Sequence, residues 1–304
     1  MIGVLVMAYG TPATPADVEA YYTRIRHGHA PTPELLADLQ RRYDAIGGTS
    51  PLAERTDEQV AGVAAGLGVE HPGGYRVLLG TKYTEPSIED AAAALANLGA
   101  EKVVGLVLTP HFSTMGTGQY HERAAAALEG GPAYLPVERW WGEKAFVTLM
   151  AERVDEALRQ VPADLARSTV VIFTAHSLPQ RVLEAGDPYP DEVAGSADAV
   201  AAKVGLTSHL VAWQSAGRTR DPWIGPDILD VLREQAAAGT KAVVICPIGF
   251  ISDHLEVLYD VDIEAKALAD ELGLTLVRTR SLNADTTFTA MLADVVHRRA
   301  QRAR

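Results

Sequence analysis

The sequence predicts an α/β protein built from two similar doubly wound, Rossmann-like parallel-sheet subdomains, related by an internal repeat, with a cleft between them. Short apolar runs alternate with Ala-rich segments of helical spacing, which is the pattern of a buried parallel sheet covered by helices. The chain also repeats itself in order, which implies two copies of one structural unit. Finally, polar loops follow the apolar runs, at the carboxyl ends of strands where such sheets bind ligands.

The strand candidates are runs near 2–8, 76–80, 103–109, 134–137, 169–174, 209–213, 242–248 and 274–277. They are bounded by Gly or Pro and often rich in Val, Ile and Leu, as strands buried on both faces are. Helical spacing is clearest in 88–98, 118–128, 144–158, 194–204 and 227–238. The repeat sets VLVMAYGTP against VVIFTAHSLP, so that one loop presents Tyr9 and the other His176. Pro51 then answers Pro188, Pro86 answers Pro222, Pro110 answers Pro247, and Phe146 answers Phe288. This register divides the chain into halves 1–160 and 161–304. Tyr9, Lys82, His111, His176, Trp213 and Phe250 all fall on the strand ends that would face the cleft.

Composition narrows the function classes. With 304 residues, 47% of them hydrophobic, the chain can bury a substantial core. Its net charge of -12 argues against nucleic acid as a partner, so an anionic ligand must find a local basic patch. The one cysteine, Cys246, excludes an internal disulfide and by itself holds neither zinc nor an iron-sulfur cluster; in VVICP it reads as a core thiol. MIGVLVMAYG lacks the basic start of a signal peptide. No apolar run reaches the ~20 residues that span a bilayer. A soluble, cytoplasmic protein is the expectation.

The copies differ most between Pro12 and Pro51, an interval far longer than its counterpart Pro179 to Pro188. The insertion, at 13–50, carries Tyr21, Tyr22, Arg24, Arg26, His27, His29, Arg41, Arg42 and Tyr43, a basic and aromatic cluster in an acidic protein. Residue type alone allows two surface helices whose Glu34, Asp38 and Asp44 pair with the arginines. Position at the rim of the cleft favours a lid for an aromatic polyacid, since guanidinium forks grip carboxylates and aromatic rings cover flat ligands. A second constellation, ISDHLEVLYDVDIEAK, spaces Glu256, Asp260 and Glu264 so that one helix would stack three carboxylates in a stripe. Such a run is commonly a solvated face; at the cleft end of a strand it can also carry divalent cations or protons inward. His176 taken alone reads as a structural loop histidine, and its pairing with the repeat raises it to a candidate.

MAYGTP, YDAIGGTSPL, PHFST, TAHSLP, GDPYP, WQSAG, DPWIGPD and GFISDHLEVLYD, in this order, resemble the motif series of the ferrochelatases. The chain is most similar to the short, soluble bacterial members that metallate coproporphyrin III. The resemblance implies insertion of Fe2+ into coproporphyrin III, giving Fe-coproporphyrin III in haem biosynthesis. It assigns metal insertion to His176 and Glu256, and it places Tyr9 on the opposite porphyrin face as an axial ligand of the product iron. Arg26, Arg42, Tyr43, Ser50 and Tyr120 match positions contacting the macrocycle or its propionates. Asp260 and Glu264 continue the metal-binding ridge, with room for an auxiliary divalent cation. His27 stands where relatives often carry a second arginine, and Tyr83 where some carry a histidine of an outer metal site. The resemblance further implies no [2Fe-2S] cluster, no stable membrane insertion, a monomer, and transient contacts with other haem-pathway enzymes. Two alternatives share most of these features: a protoporphyrin IX ferrochelatase, and a non-catalytic porphyrin or haem carrier. A cobalt or nickel chelatase of the corrin or sirohaem branch would share the architecture but not HLEVLYD together with GDPYP and WQSAG.

Overall fold

The computed structural model describes residues 1–217 and 221–302. Along the chain run β1 (Ile2–Ala8), α1 (Val18–Ile25), α2 (Pro33–Ala45), α3 (Leu52–Glu70), β2 (Tyr75–Thr81), α4 (Ile88–Asn97), β3 (Lys102–Val107), α5 (Gln119–Ala127) and β4 (Ala133–Val137). There follow α6 (Lys144–Leu158), β5 (Thr169–His176), α7 (Arg181–Glu184), α8 (Tyr189–Val204), β6 (Leu210–Gln214), α9 (Ile228–Ala237), β7 (Ala242–Cys246), α10 (Leu255–Leu258), α11 (Lys266–Glu271), β8 (Thr275–Arg278) and α12 (Thr286–Gln301). All eight apolar runs are strands.

The strands form two four-stranded parallel sheets, ordered β2-β1-β3-β4 and β6-β5-β7-β8. The two orders are the same once the copies are aligned, so the sequence repeat is a repeat of topology. In each sheet the first strand of the copy, β1 or β5, lies inside the sheet with neighbours on both sides. Burial follows: Val4, Leu5, Val6 and Met7 are wholly buried, as are Ile172, Phe173 and Ala175. Each large side chain among them contributes roughly 1.5–3 kcal/mol by leaving water. Cys246 is buried in β7, where burial pushes its thiol up to about 12, so it is a core residue.

Local chemistry stops and starts the helices at these places. Thr32 caps α2 by accepting from the Leu35 N–H, and Pro33 follows as its first residue. Ser87 caps α4, Asp227 caps α9 and Asp285 caps α12 in the same way. Gly205 ends α8 with a φ of 83°.

By its contacts the chain divides into two units that differ from the single division at 160/161 read from the repeat. The first unit comprises Met1–Trp140, Ser252–Leu255 and Asn283–Arg304; the second comprises Trp141–Ile251 and Glu256–Leu282. The last helix of each copy is therefore exchanged: α12 packs on α3 in the first unit, and α6 packs on α8 in the second. Close approach explains the first pairing. A methyl group at Gly62 would stand 2.7 Å from Thr289, and one at Gly66 would stand 2.9 Å from the Ala293 methyl. Two glycines one turn apart on α3 thus admit two small residues one turn apart on α12.

Candidate functional site

In the second unit His176 is the last residue of β5, paired in register with β6, while β7 pairs with the same strand as far as Phe173. Its register partner on β6 is Gln214, which is buried. Gln214 accepts from the Thr174 hydroxyl at 2.8 Å and donates through Nε2 to the Glu256 backbone carbonyl at 3.0 Å. One buried amide therefore ties the strand end to the turn carrying Glu256. The imidazole of His176 is fixed in turn: its Nδ1 bonds the Ser177 carbonyl, and its Nε2 faces Glu256 Oε1 at 3.4 Å. Each side chain of the pair keeps about a third of its surface exposed, 35% in both cases. Tyr189 donates its hydroxyl to the His176 carbonyl at 3.0 Å, and Trp223 and Phe250 flank the ring at centroid distances of 6.5 and 6.4 Å.

The electrostatics of this pair set His176 apart from a free imidazole, which is mostly neutral at pH 7. Burial disfavours the imidazolium, but the Glu256 charge and hydrogen bond, the Ser177 carbonyl and the more distant Asp260 outweigh it and push the pKa up to about 9. Without metal, the site holds an imidazolium beside a carboxylate at neutral pH.

The acidic ridge is also unlike the single helical stripe its spacing implies. Past α10 the backbone widens into a π-helical turn over Asp260–Ala265, with the Glu264 N–H reaching Tyr259 O at 2.9 Å. A wider turn moves residues four apart out of line. The three carboxylates consequently meet different surroundings. Glu256 faces His176; Asp260 is buried and accepts the Ser215 hydroxyl at 2.5 Å; Glu264 is exposed. Among the described residues no three His, Cys, Asp or Glu side chains converge as a metal-holding group.

In the first unit Tyr9 follows β1 and is 41% exposed, with its ring edge-on to Tyr83 at 4.8 Å and 61°. Lys82 places its ammonium over the rings of Tyr83 and Tyr120, at 5.3 and 5.0 Å, and donates to Gln119 at 2.7 Å. Burial, helped by the charge of Arg123, holds its pKa down to about 8. Arg26 ends α1 with its guanidinium 5.8 Å from the Tyr22 ring centroid; its buried Nε has no hydrogen-bond partner among the described residues. The inserted segment forms the two helices α1 and α2, and part of its charge is satisfied internally, since Asp38 pairs with both Arg41 and Arg42.

Three of the residues expected at the macrocycle are buried within the first unit. Tyr43 lies with its hydroxyl 3.4 Å from Thr11 Oγ1, Ser50 accepts from the Leu52 N–H at the start of α3, and Tyr120 stacks under Lys82. His111, placed among the strand-end residues, is wholly buried, and burial pushes its pKa down to about 3; Trp213 is buried against Tyr189. Gln214 and Ser177 gained no role from sequence reasoning, although both stand inside quoted motifs. Their partners are a backbone carbonyl and an imidazole, and backbone acceptors leave no mark on residue type.

A family model described as ferrochelatase matches residues 1–300. The chain is 45% identical over 300 residues to the coproporphyrin III ferrochelatase of Anoxybacillus flavithermus, covering 97% of this chain and 95% of that protein. It is 44% identical over 299 residues to the coproporphyrin III ferrochelatase of Bacillus subtilis, covering 97% and 96%. Among solved structures, SirB from Bacillus subtilis with Fe3+ matches with a TM-score of 0.62 over 99% of this chain and 96% of that one. At 14% identity this is a likeness of fold alone.

Proposed function

Because the chain belongs to the ferrochelatase family, we propose that it inserts Fe2+ into coproporphyrin III to give Fe-coproporphyrin III. The observation that carries the metal-insertion reading is the pairing of His176 Nε2 with Glu256 Oε1 at the carboxyl end of an internal strand. The coproporphyrin reading rests on the names of relatives that share over two fifths of the sequence along nearly its whole length.

The overall reaction takes one Fe2+ and one free-base porphyrin and releases two pyrrole protons. Distorting the flat ring exposes its nitrogen lone pairs, and binding energy from the ring faces and propionates supplies that distortion. His176 and Glu256 are read as the groups that receive the ion and the protons. The imidazolium must give up its proton before Nε2 can ligate iron or accept from a pyrrole, so Fe2+ arrival at the pair releases a proton. Glu264 offers an exchangeable oxygen on the approach, where an auxiliary divalent cation would also sit, while Asp260, held by Ser215, steadies the turn. Tyr9 is read as the axial oxygen ligand of the iron once the released ferrous product has been oxidised by dioxygen to the ferric state, and Arg26 and Arg42 as propionate contacts. Tyr43, Ser50 and Tyr120 shape the same surface from beneath, with the macrocycle resting on the groups they support.

No helix among the described residues is long and apolar enough to cross a membrane. We read the protein as a cytoplasmic monomer that passes its product to another haem-pathway enzyme and binds no nucleic acid. A single cysteine supports the absence of a [2Fe-2S] cluster, which takes four ligands. The test is an anaerobic assay with Fe2+ comparing coproporphyrin III with protoporphyrin IX. A clear lead for coproporphyrin III in kcat/KM is expected. Equal efficiency would remove the substrate assignment, and no insertion into either would remove the activity.

A further inference from the structure

The Lys82–Tyr83 peptide group has both of its polar atoms engaged, and its two partners link residues far apart in sequence. Its carbonyl oxygen accepts from Arg123 Nη1 at 2.9 Å, and its N–H donates to the Tyr9 carbonyl at 3.1 Å. Arg123 stands on α5 and is itself locked, because Nε and Nη2 donate to the two Glu89 oxygens on α4, both at 2.6 Å. A guanidinium held by such a fork has a defined direction for its remaining N–H groups. A cation on a peptide carbonyl also polarises the amide and strengthens the N–H bond on its other side. Arg123 therefore sets the tilt of the peptide that holds the Tyr9 backbone.

The contact continues through the side chains. Tyr83, on the far side of that peptide, lays its ring edge-on to the Tyr9 ring at 4.8 Å. The loops are seated closely: Gly10, with a φ of 87°, lies where a methyl group would collide with Thr84 Oγ1. The Thr81 hydroxyl gathers the turn by bonding the Thr84 carbonyl at 2.6 Å. The Tyr9 ring, 41% exposed, thus lies against a turn that Arg123 holds by the Lys82 carbonyl.

We propose that Arg123, oriented by Glu89, is a positioning residue that aims the Tyr9 hydroxyl at the product iron through the Lys82–Tyr83 peptide and the Tyr83 ring. This rests on the reading of Tyr9 as axial ligand given above. Arg123 touches neither metal nor porphyrin in this role. Its removal should change the ligation of the product without abolishing the chemistry of His176 and Glu256.

The test records absorption and resonance Raman spectra of ferric coproporphyrin bound to the full-length protein, for the unaltered chain and for Tyr9→Phe, Arg123→Gln, Arg123→Lys and Glu89→Gln. Circular dichroism and thermal melting establish which variants are folded. The phenolate-to-iron signature is expected to vanish in Tyr9→Phe and to weaken strongly in Arg123→Gln. Glu89→Gln should fall between these and the unaltered protein, since it loosens the fork but leaves the cation. Arg123→Lys, keeping charge without the fork, should restore the signature only in part. If Tyr9→Phe alters the spectrum while folded Arg123→Gln and Glu89→Gln match the unaltered protein, the positioning role is wrong and the Tyr9 reading stands. If Tyr9→Phe itself leaves the spectrum unchanged, the Tyr9 reading fails and the proposal falls with it. Should Arg123→Gln not fold, Glu89→Gln and Arg123→Lys decide by the same criterion.

Discussion

His176 Nε2 lies 3.4 Å from Glu256 Oε1, with Nδ1 of the same ring occupied by the Ser177 carbonyl, so Nε2 is the ring nitrogen turned to the carboxylate. Because the carboxylate favours the imidazolium, His176 should titrate near 9 in the metal-free protein. A folded-state pKa above the ordinary 6.5 makes the pair stabilising below that value, with the contribution lost as pH rises through about 9. In Glu256→Gln the imidazole should titrate well below 9, since the opposing burial remains while the favourable charge is gone. Proton NMR of the His176 ring against pH measures both values.

Both members of the pair should be needed for insertion. His176→Ala and Glu256→Gln are expected to bind porphyrin with near-normal affinity yet lose insertion by at least the ~100-fold typical of removing a general acid–base group. Fluorescence quenching of bound porphyrin and an anaerobic insertion assay separate the two effects. Near-normal rates in both variants would show that the pair is not the insertion site.

Tyr9→Phe should affect product more than turnover. On the proposed reading the hydroxyl ligates the iron of the oxidised product, whereas the protons and the incoming ion fall to His176 and Glu256. A changed ferric spectrum with insertion slowed less than tenfold is the expected outcome, a threshold of about 1.4 kcal/mol in the barrier. An unchanged spectrum would make Tyr9 a packing partner of Tyr83 and nothing more.

Gly249 is a steric requirement of the same site. A methyl group there would stand 2.6 Å from the Ala175 Cβ and 2.9 Å from its Cα, pressing on the strand one residue before His176. Gly249→Ala should therefore destabilise the fold by about 1–3 kcal/mol, the usual cost of overpacking. It should also slow insertion by displacing the imidazole. Thermal melting and the insertion assay check the two parts, and a variant with unchanged melting and rate would contradict this packing.

Substrate preference should respond to Arg42. Its guanidinium already faces Asp38 at 3.4 Å and is partly exposed, which leaves it within reach of an incoming propionate. A charge-assisted hydrogen bond contributes ~1.5–3 kcal/mol, and about 1.4 kcal/mol is tenfold in affinity. Arg42→Ala should weaken coproporphyrin binding by about tenfold or more and narrow its lead over protoporphyrin; added salt should act in the same direction by screening. Titration of both porphyrins at two ionic strengths gives the answer, and an unaltered ratio would exclude Arg42 as a propionate contact.

The sequence by itself determined the strands, the repeat and the family, because each is written in short-range terms. Apolar runs report burial, the paired prolines report register, and motifs such as TAHSLP and HLEVLYD are contiguous. It also named His176 and Glu256. The tertiary structure alone decided how these residues are held and charged. Nothing in the spacing of Glu256, Asp260 and Glu264 announces a π-helical turn, since the turn depends on what the helix packs against; its effect is to bury one carboxylate and expose another. The repeat could not show that α6 and α12 exchange units, because a helix carries the same periodicity whichever sheet it covers, and the choice lies in small-residue contacts such as Gly62 with Thr289. The Gln214 bond to the Glu256 carbonyl and the Arg123 bond to the Lys82 carbonyl were equally invisible. Every residue except proline offers the same backbone donor and acceptor, so only the folded chain reveals which one a side chain has chosen.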